Sequence, residues 1–125
     1  MASPKAFTRE LMQNFETVLV EGDFRDPATQ DRFAAAAGPI SIISIDCNWP
    51  SSVAAAMDIS APLLTSGSIV YFDDYFVATH YPNFHEPIME RARQKYGITF
   101  VEFMTYPPCA RAFLVERASA NSEPL

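Results

Sequence analysis

Two apolar segments that each end in aspartate constrain the fold of this chain more than any other feature. The first is Ile40–Ile45, which is followed by Asp46, and the second covers residues 68–72, which are followed by Asp73 and Asp74. Both are rich in β-branched and aromatic residues, which favour β-strands, and a helix-length interval separates them. Because parallel strands present their carboxyl ends at one edge of an open α/β sheet, we expect the three carboxylates to meet there. Hard cations such as Mg²⁺ prefer such oxygen ligands, so the pattern predicts a divalent-metal site.

Composition predicts a single acidic domain that binds neither nucleic acid nor membranes. The chain has 125 residues, of which 49% are hydrophobic, so it can form one domain with its own core. Fifteen acidic and nine basic residues give a net charge of −6, which opposes contact with phosphate backbones and anionic lipids. The sequence shows neither a secretory leader pattern nor an apolar run of ~20 residues, and Cys47 and Cys109 lack zinc-site spacing. We therefore expect a cytoplasmic protein with reduced thiols.

Helical and strand-like patterns alternate along the chain, which is typical of βα units and a mostly parallel sheet. The last two strands are joined by only a few residues, so we expect them to form an antiparallel hairpin. Asn83 with Glu86 resembles a capping box for the helix at residues 83–96, and Ser51 with Ser52 is expected to cap the start of the helix at residues 51–64. The pattern predicts helices at residues 3–14, 27–37, 51–64 and 83–96, strands at residues 17–20, 40–45, 68–72, 98–104 and 110–116, and a polar tail at residues 119–125.

Two histidines follow the acidic end of the segment at residues 68–72. His80 is a candidate general base, because imidazole titrates near neutral pH and this histidine lies close in sequence to Asp74. His85 is the second candidate for this role. The alternative for both is an isolated histidine without a catalytic function.

Several motifs together resemble a known enzyme family. They are residues 18–26 (VLVEGDFRD), residues 45–48 (IDCN) with Ser52 and a following helix, residues 63–67 (LLTSG), and residues 69–75, which end in the most specific element, Asp73-Asp74-Tyr75. Over most of residues 15–117, the arrangement resembles the C-terminal half of a class I S-adenosylmethionine-dependent methyltransferase. The specific type is the macrocin O-methyltransferase, which is metal-dependent and acts on sugar hydroxyls.

This resemblance implies roles for individual residues. Asp46, Asp73 and Asp74 match the divalent-metal ligands of that family, with Mg²⁺ as the expected ion. Asp46 would also act catalytically, because it would lie near the acceptor hydroxyl, whose pKa a metal and a carboxylate can lower. Gly22 and Asp23 match the turn that lies near the adenine of S-adenosylmethionine.

Two features of this sequence depart from that family. Its four glycines are not in the GxGxxG spacing of a donor-binding loop, and the first two strands of the family's sheet have no counterpart here. Where the family usually has Asp-Leu-Tyr-Glu-Ser-Thr, this chain has NWPSSV at residues 48–53, which affects substrate positioning. The resemblance therefore implies a partial Rossmann-like methyltransferase sheet with an interior-type strand, residues 40–45, at a gap. Either residues 17–20 close this gap or another chain fills it.

These expectations lead to one main functional hypothesis and two alternatives. Residues 1–118 would form a methyltransferase-like half-domain, one subunit of a split, metal-assisted O-methyltransferase acting on a small-molecule hydroxyl of a sugar or natural product. S-adenosylmethionine would bind only with a complementary partner that supplies the missing half. The expected partner of this chain is such a complementary methyltransferase half, or further copies of the chain in a homo-oligomer. The first alternative is a non-catalytic stabilising or regulatory subunit of a methyltransferase. The second is a repurposed methyltransferase-like enzyme that no longer uses the methyl donor.

Overall fold

The structure is a computed structural model that describes residues 17–76 and 83–118. This part of the chain contains helices α1 (Pro27–Ala36), α2 (Pro50–Ser60) and α3 (His85–Tyr96), strands β1 (Ile40–Ile45), β2 (Leu64–Phe72), β3 (Ile98–Tyr106) and β4 (Ala110–Arg117), and a 3₁₀ turn, Ala61–Leu63, between α2 and β2. The predicted helix at residues 3–14, the tail at residues 119–125 and the candidate base His80 lie outside the described residues. Of the helices described, none has the length and apolar character needed to cross a membrane.

The four strands form one open mixed sheet in the order β1-β2-β4-β3, so the predicted α/β class is confirmed. β1 and β2 pair in parallel, whereas β4 pairs antiparallel with both β2 and β3. The predicted antiparallel hairpin is confirmed, but the prediction of a mostly parallel sheet is wrong, because only one of the three pairings is parallel. The physical reason is that the hairpin folds β4 back between β2 and β3, so a single strand makes two antiparallel pairings.

The segment at residues 17–20, predicted as a strand, pairs with no strand in the described part of the chain. Val18 and Leu19 are 69% and 55% exposed. A β-branched segment needs a neighbouring strand to satisfy its backbone groups, and this one does not reach the edge of β1 in hydrogen-bonding register. Within residues 17–76 and 83–118, β1 is therefore an unpaired edge strand, although Val20 and Phe33 line a cavity together with Ile43 of this strand.

Local sequence explains where α1 and α2 begin. The side chain of Asp26 accepts a hydrogen bond from the backbone N–H of Ala28 at 3.2 Å, and Pro27 occupies the first turn of α1. α2 begins at Pro50, again a proline in the first turn, so the predicted cap at Ser51 is wrong because that residue lies inside the helix. The two helices therefore begin in the same way, with a fixed proline φ angle in place of a backbone donor.

α3 begins without the predicted capping box. Asn83 has a positive φ of 60°, which is a turn conformation, and the residue at the cap position is Phe84, whose side chain makes no capping hydrogen bond. Glu86 contributes only its backbone N–H, which donates to the Asn83 carbonyl at 3.3 Å. The other end agrees with prediction, because Gly97 adopts the left-handed conformation, φ 67°, that terminates helices.

The hydrophobic core lies between one face of the sheet and the helices α2 and α3. Its members alternate along β2, where Ser68, Val70 and Phe72 are buried, as expected for a strand with one covered face. The buried apolar residues that form this core cluster are Ile45, Val53, Met57, Ala61, Leu64, Val70, Phe72, Met89, Ala92, Ile98, Phe113 and Val115. Ile45 and Phe72 are the last residues of β1 and β2, so this core fixes the two strand ends that precede the aspartates.

The opposite face of the sheet carries a row of apolar side chains. The strand registers align Ile42 with Ile69, Ile69 with Leu114, and Leu114 with Val101, so the row crosses all four strands. These residues alternate with the core residues and therefore point away from α2 and α3. Ile42 is 69% exposed and Val101 is 41% exposed. In the described part of the chain, this face has no helix packed on it.

Candidate metal centre

The carboxyl ends of β1 and β2 lie side by side and carry the three predicted aspartates. Ile45 pairs with Phe72 in the parallel register, and the backbone N–H of Asp73 donates to the Ile45 carbonyl at 3.3 Å. One carboxylate oxygen from each of Asp46, Asp73 and Asp74 lies within 4.8 Å of the others. The predicted meeting of these side chains is confirmed, and their role as metal ligands stays a prediction.

The three carboxylates form a cluster of like charge. The pKa of Asp46 is raised, first by the negative charge of Asp73, then by partial loss of hydration, and further by Asp74 and a hydrogen bond with Asp73. Among the described residues, none of the three forms an ion pair with Lys or Arg. Because the folded pKa of Asp46 exceeds the unfolded value, the repulsion is relieved when pH falls below the folded pKa and is fully present above it.

The cluster fits a hard divalent cation. Mg²⁺ binds oxygen at about 2.1 Å and Ca²⁺ at about 2.4 Å, so oxygens around one ion lie about 3 to 5 Å apart. The oxygens of the three aspartates stay within that span. Asp46 is exposed, whereas Asp73 and Asp74 are half-buried, so one side of the cluster is open to water or substrate. The residues present can therefore hold such an ion and leave coordination positions free.

Tyr71 orients one of the three carboxylates. Its hydroxyl donates a hydrogen bond to Oδ1 of Asp73 at 3.1 Å. Burial raises the pKa of Tyr71, and the hydrogen bond and the negative charge of Asp73 raise it further, so the phenol keeps its proton. Tyr71 was not among the predicted site residues. The sequence signal was available, because residues two apart on a strand share a face.

Contacts with the hairpin hold the turn that follows β2. The backbone N–H of Phe76 donates to the Cys109 carbonyl at 3.0 Å. The guanidinium of Arg111 lies 5.3 Å from the ring centre of Tyr75 and 5.6 Å from that of Phe76, and it also forms an ion pair with Glu102. Stacking of arginine on aromatic rings adds to the backbone contact. The turn that carries two of the aspartates is therefore attached to β4 as well as to β2.

A cleft of ≈ 310 Å³ adjoins the cluster, between the end of β2 and the β3–β4 hairpin. Its walls include Tyr71, Asp73, Asp74, Tyr106, Pro107 and Pro108. The rings of Tyr71 and Tyr106 meet edge to face, with centres 5.6 Å apart and planes at 61°. The sequence signal for this cleft, a tyrosine followed by two prolines in a hairpin turn, was too general to predict a binding site.

Gly22 and Asp23, predicted to lie near the methyl donor, belong to the turn before α1 and not to the acidic cluster. Asp23 is exposed, and its carboxylate accepts hydrogen bonds from the backbone N–H and the guanidinium of Arg25, which lower its pKa. Gly22 has φ 142°, and a Cβ there would lie 2.4 Å from Oγ1 of Thr29. Turn formation and close packing explain both residues, so a donor contact stays a prediction.

His85, the second candidate base, is a core residue. It is 2% exposed, its ring centre lies 3.9 Å from that of Phe84, and it packs against Phe72 and Tyr75 at 4.9 Å. Burial lowers its pKa from 6.5 to about 4. The candidate role of His85 as an accessible base is therefore wrong, whereas that of His80 stays a prediction.

Comparison of the sequence with models of known protein families and with curated proteins finds no match. The resemblance to methyltransferases thus rests on the motifs alone.

Proposed function

We propose that this chain binds Mg²⁺ or a similar divalent cation through Asp46, Asp73 and Asp74. The observation that carries the proposal is the meeting of one oxygen from each carboxylate within 4.8 Å of the others. In residues 17–76 and 83–118, no Lys or Arg forms an ion pair with these side chains. Like charges so close together repel one another, and a bound cation converts that repulsion into attraction.

The cation site would serve a split, metal-assisted O-methyltransferase that uses S-adenosylmethionine. The order of the motifs supports this step, because acidic ends on two adjacent parallel strands are followed by an antiparallel hairpin, as the resemblance implies. The acceptor would be a small-molecule hydroxyl of a sugar or natural product. A cytoplasmic location belongs to the same proposal, and the free thiols of Cys47 and Cys109 agree with it.

The residues of this chain would bind and orient the reactants. Asp73 and Asp74 would hold the cation with Asp46, and the Tyr71 hydroxyl keeps Asp73 in place. When bound, the cation supplies Lewis-acid assistance to ionisation of the acceptor hydroxyl. Asp46, the most exposed of the three, would also face the acceptor, and His80 is the candidate base for its proton.

The glycine-rich donor site would come from residues outside these 125, on a complementary chain. The unpaired edge of β1 and the apolar row that begins at Ile42 and ends at Val101 would be the contact surface, because a paired edge satisfies its backbone groups. A row without charged side chains suits the centre of an interface. Gly22 and Asp23 would then approach the adenine only in the assembled protein.

The first prediction concerns the cation. Calorimetry with the purified full chain should detect Mn²⁺ or Mg²⁺ binding, and thermal unfolding should shift upward with the ion. Asp74→Asn is expected to weaken binding at least tenfold, because one of three charged ligands is lost, and to stabilise the metal-free protein slightly by removing repulsion. Asp31→Asn, on the exposed surface of α1, is the control with the same charge change. Equal binding by both variants would contradict the metal site.

The second prediction concerns the methyl donor and the partner. Alone, the chain should bind S-adenosylmethionine weakly or not at all, and sedimentation with chains encoded beside it should detect a complex that binds the donor. Ile42→Lys should prevent assembly without unfolding the protein, because this side chain is 69% exposed, whereas Ala34→Lys on α1 should not. Micromolar donor binding by the chain alone would overturn the split-enzyme proposal, and self-association would identify further copies of this chain as what pairs with the edge of β1.

A second candidate function is a methyltransferase-like protein that no longer uses the donor, as a repurposed enzyme or as a non-catalytic stabilising or regulatory subunit. The surroundings of Gly22 favour this second candidate, because Thr29 occupies the space where a side chain at Gly22 would lie. Methyl transfer by the assembled complex separates the candidates. Loss of transfer with Asp74→Asn, in a complex that still assembles, supports the catalytic subunit, whereas unchanged transfer supports a stabilising one.

A further inference from the structure

Another pocket lies on the core side of the sheet, between α3 and the outer strand β3. This α3–β3 pocket has a volume of ≈ 270 Å³, just below the range of about 300 to 1,000 Å³ that is usual for ligand sites, so it suits a small molecule. Met89, Phe100 and Phe113 give it apolar walls, and Glu86, Glu90, Arg93 and Arg111 bring charges to it. None of the three clustered aspartates lines it.

Arg111 offers this pocket a buried donor that lacks an acceptor. Its guanidinium lies 5.4 Å from the ring centre of Phe113, and one of its terminal nitrogens, Nη2, forms an ion pair with Glu102. In residues 17–76 and 83–118, the buried Nε of Arg111 has no hydrogen-bond partner. Buried polar groups in folded proteins nearly always have a partner, either in the protein or in a bound water or ion. This unpaired N–H therefore points to an acceptor oxygen supplied by a bound molecule.

That acceptor is expected to be neutral. Glu102 already pairs with Arg111, and a ligand carboxylate would bring a second negative charge to the same guanidinium. The other arginine of the pocket, Arg93, is also paired, because its Nε and Nη2 donate to the two carboxylate oxygens of Glu90. Neither arginine is thus free to hold an anion, whereas a hydroxyl or carbonyl oxygen adds no charge.

Glu86 keeps an unbalanced negative charge at the same pocket. It lies on the same face of α3 as Glu90, four residues on, but in the described part of the chain it forms no ion pair. Burial raises the pKa of the Tyr75 phenol, Arg111 lowers it, and the charge of Glu86 raises it, so the three side chains are neighbours. The net charge of −6 attracts cations to the protein. An ammonium group is therefore the expected partner of Glu86.

We propose that the α3–β3 pocket binds a small organic ammonium ion that also carries a neutral oxygen acceptor. The ammonium group pairs with Glu86, and the oxygen accepts a hydrogen bond from Nε of Arg111. The apolar body of the ligand rests on Met89, Phe100 and Phe113. Amino alcohols with an apolar side chain have all three groups. This site is independent of the proposed metal centre, because it uses none of the clustered aspartates.

The test is calorimetry of the purified full chain with phenylalaninol, which has an ammonium group, a hydroxyl group and a benzyl group. Phenylalaninol should bind about threefold or more tightly than each of three relatives that change one group. Phenylpropanol lacks the ammonium group, phenethylamine lacks the hydroxyl group, and phenylalanine has a carboxylate in place of the neutral oxygen.

Variants of the two charged residues test each contact separately. Glu86→Gln should weaken phenylalaninol binding by about threefold or more and remove its advantage over phenylpropanol. Glu21→Gln, the same change at an exposed position before α1, is the control and should alter neither. Arg111→Lys keeps the positive charge but loses the Nε donor, so it should remove the advantage over phenethylamine. Should Arg111→Lys fail to fold, the same two compounds on the unchanged protein test this contact.

Three results would overturn the inference. The first is that the unchanged protein does not bind phenylalaninol, or that Glu86→Gln binds it equally well. The second is equal binding of phenylalanine, which would show that a carboxylate displaces Glu102 and that the acceptor is not neutral. The third is binding that Mn²⁺ abolishes and Glu86→Gln does not alter, which would place the ammonium group at the acidic cluster instead.

Discussion

Phe72→Ala is expected to destabilise the fold by about 3 to 5 kcal/mol, the usual cost of truncating a buried aromatic side chain. Phe72 is 1% exposed and is the largest fully buried side chain described. Its ring centre lies 4.9 Å from that of His85, 6.0 Å from that of Phe113 and 6.1 Å from that of Tyr75. Removing it opens a cavity where the end of β2 meets the start of α3.

The loss of stability should also disturb the metal centre, because Phe72 is the residue before Asp73. Domains of this size are stable by only about 5 to 15 kcal/mol, so the expected cost is a large part of the total. Urea unfolding measures the change. Phe103→Ala is the control, because this phenylalanine is 50% exposed on the edge strand β3 and should cost less than about 1 kcal/mol. Equal losses for the two variants would show that Phe72 does not anchor the strand end.

Local sequence rules predicted the part of the site that depends on strand ends. Apolar, β-branched segments predicted β1 and β2, and their common parallel direction was enough to bring Asp46 next to Asp73 and Asp74. The hydrogen bond from Tyr71 follows from the same two-residue period. These features are local, because they need only the direction of two neighbouring strands.

The features that were missed depend on contacts between distant segments. The position of β4 between β2 and β3 is decided by how the hairpin packs on the sheet, which the spacing of its residues does not specify. The cleft exists only because that hairpin brings Tyr106 beside Tyr71. The strand predicted at residues 17–20 has the right composition, but a strand forms only where a partner edge is in register. Composition therefore predicted the strands better than it predicted their neighbours.

His85 shows the same limit for a single residue. Its position after the acidic strand end favoured a catalytic role, but the pattern of α3 also places it on the face that carries Met89 and Ala92. The structure buries it on this face among three aromatic rings, and its Nδ1 has no hydrogen-bond partner in the described residues.

We expect folding stability to fall by about 3 kcal/mol between pH 6.5 and pH 4 because of His85 alone. Burial lowers its pKa from 6.5 to about 4, and each unit of pKa difference is worth about 1.4 kcal/mol. The unfolded chain therefore takes up a proton before the folded protein does as pH falls. The contribution of neutral His85 to folding stability is complete above pH 6.5, is lost progressively towards pH 4, and changes no further below that.

Replacing the imidazole by a ring that does not titrate should remove this dependence. The free energy of unfolding in urea is measured at pH 7 and at pH 4, for His85→Phe and for the unchanged protein. The difference between the two pH values should be about 3 kcal/mol smaller in His85→Phe, because all carboxylates titrate alike in both proteins. The comparison within each protein cancels any change in packing that the larger phenyl ring causes at both pH values. If the two proteins show the same pH dependence, His85 is accessible to protons in the folded state, and its candidacy as a general base is restored.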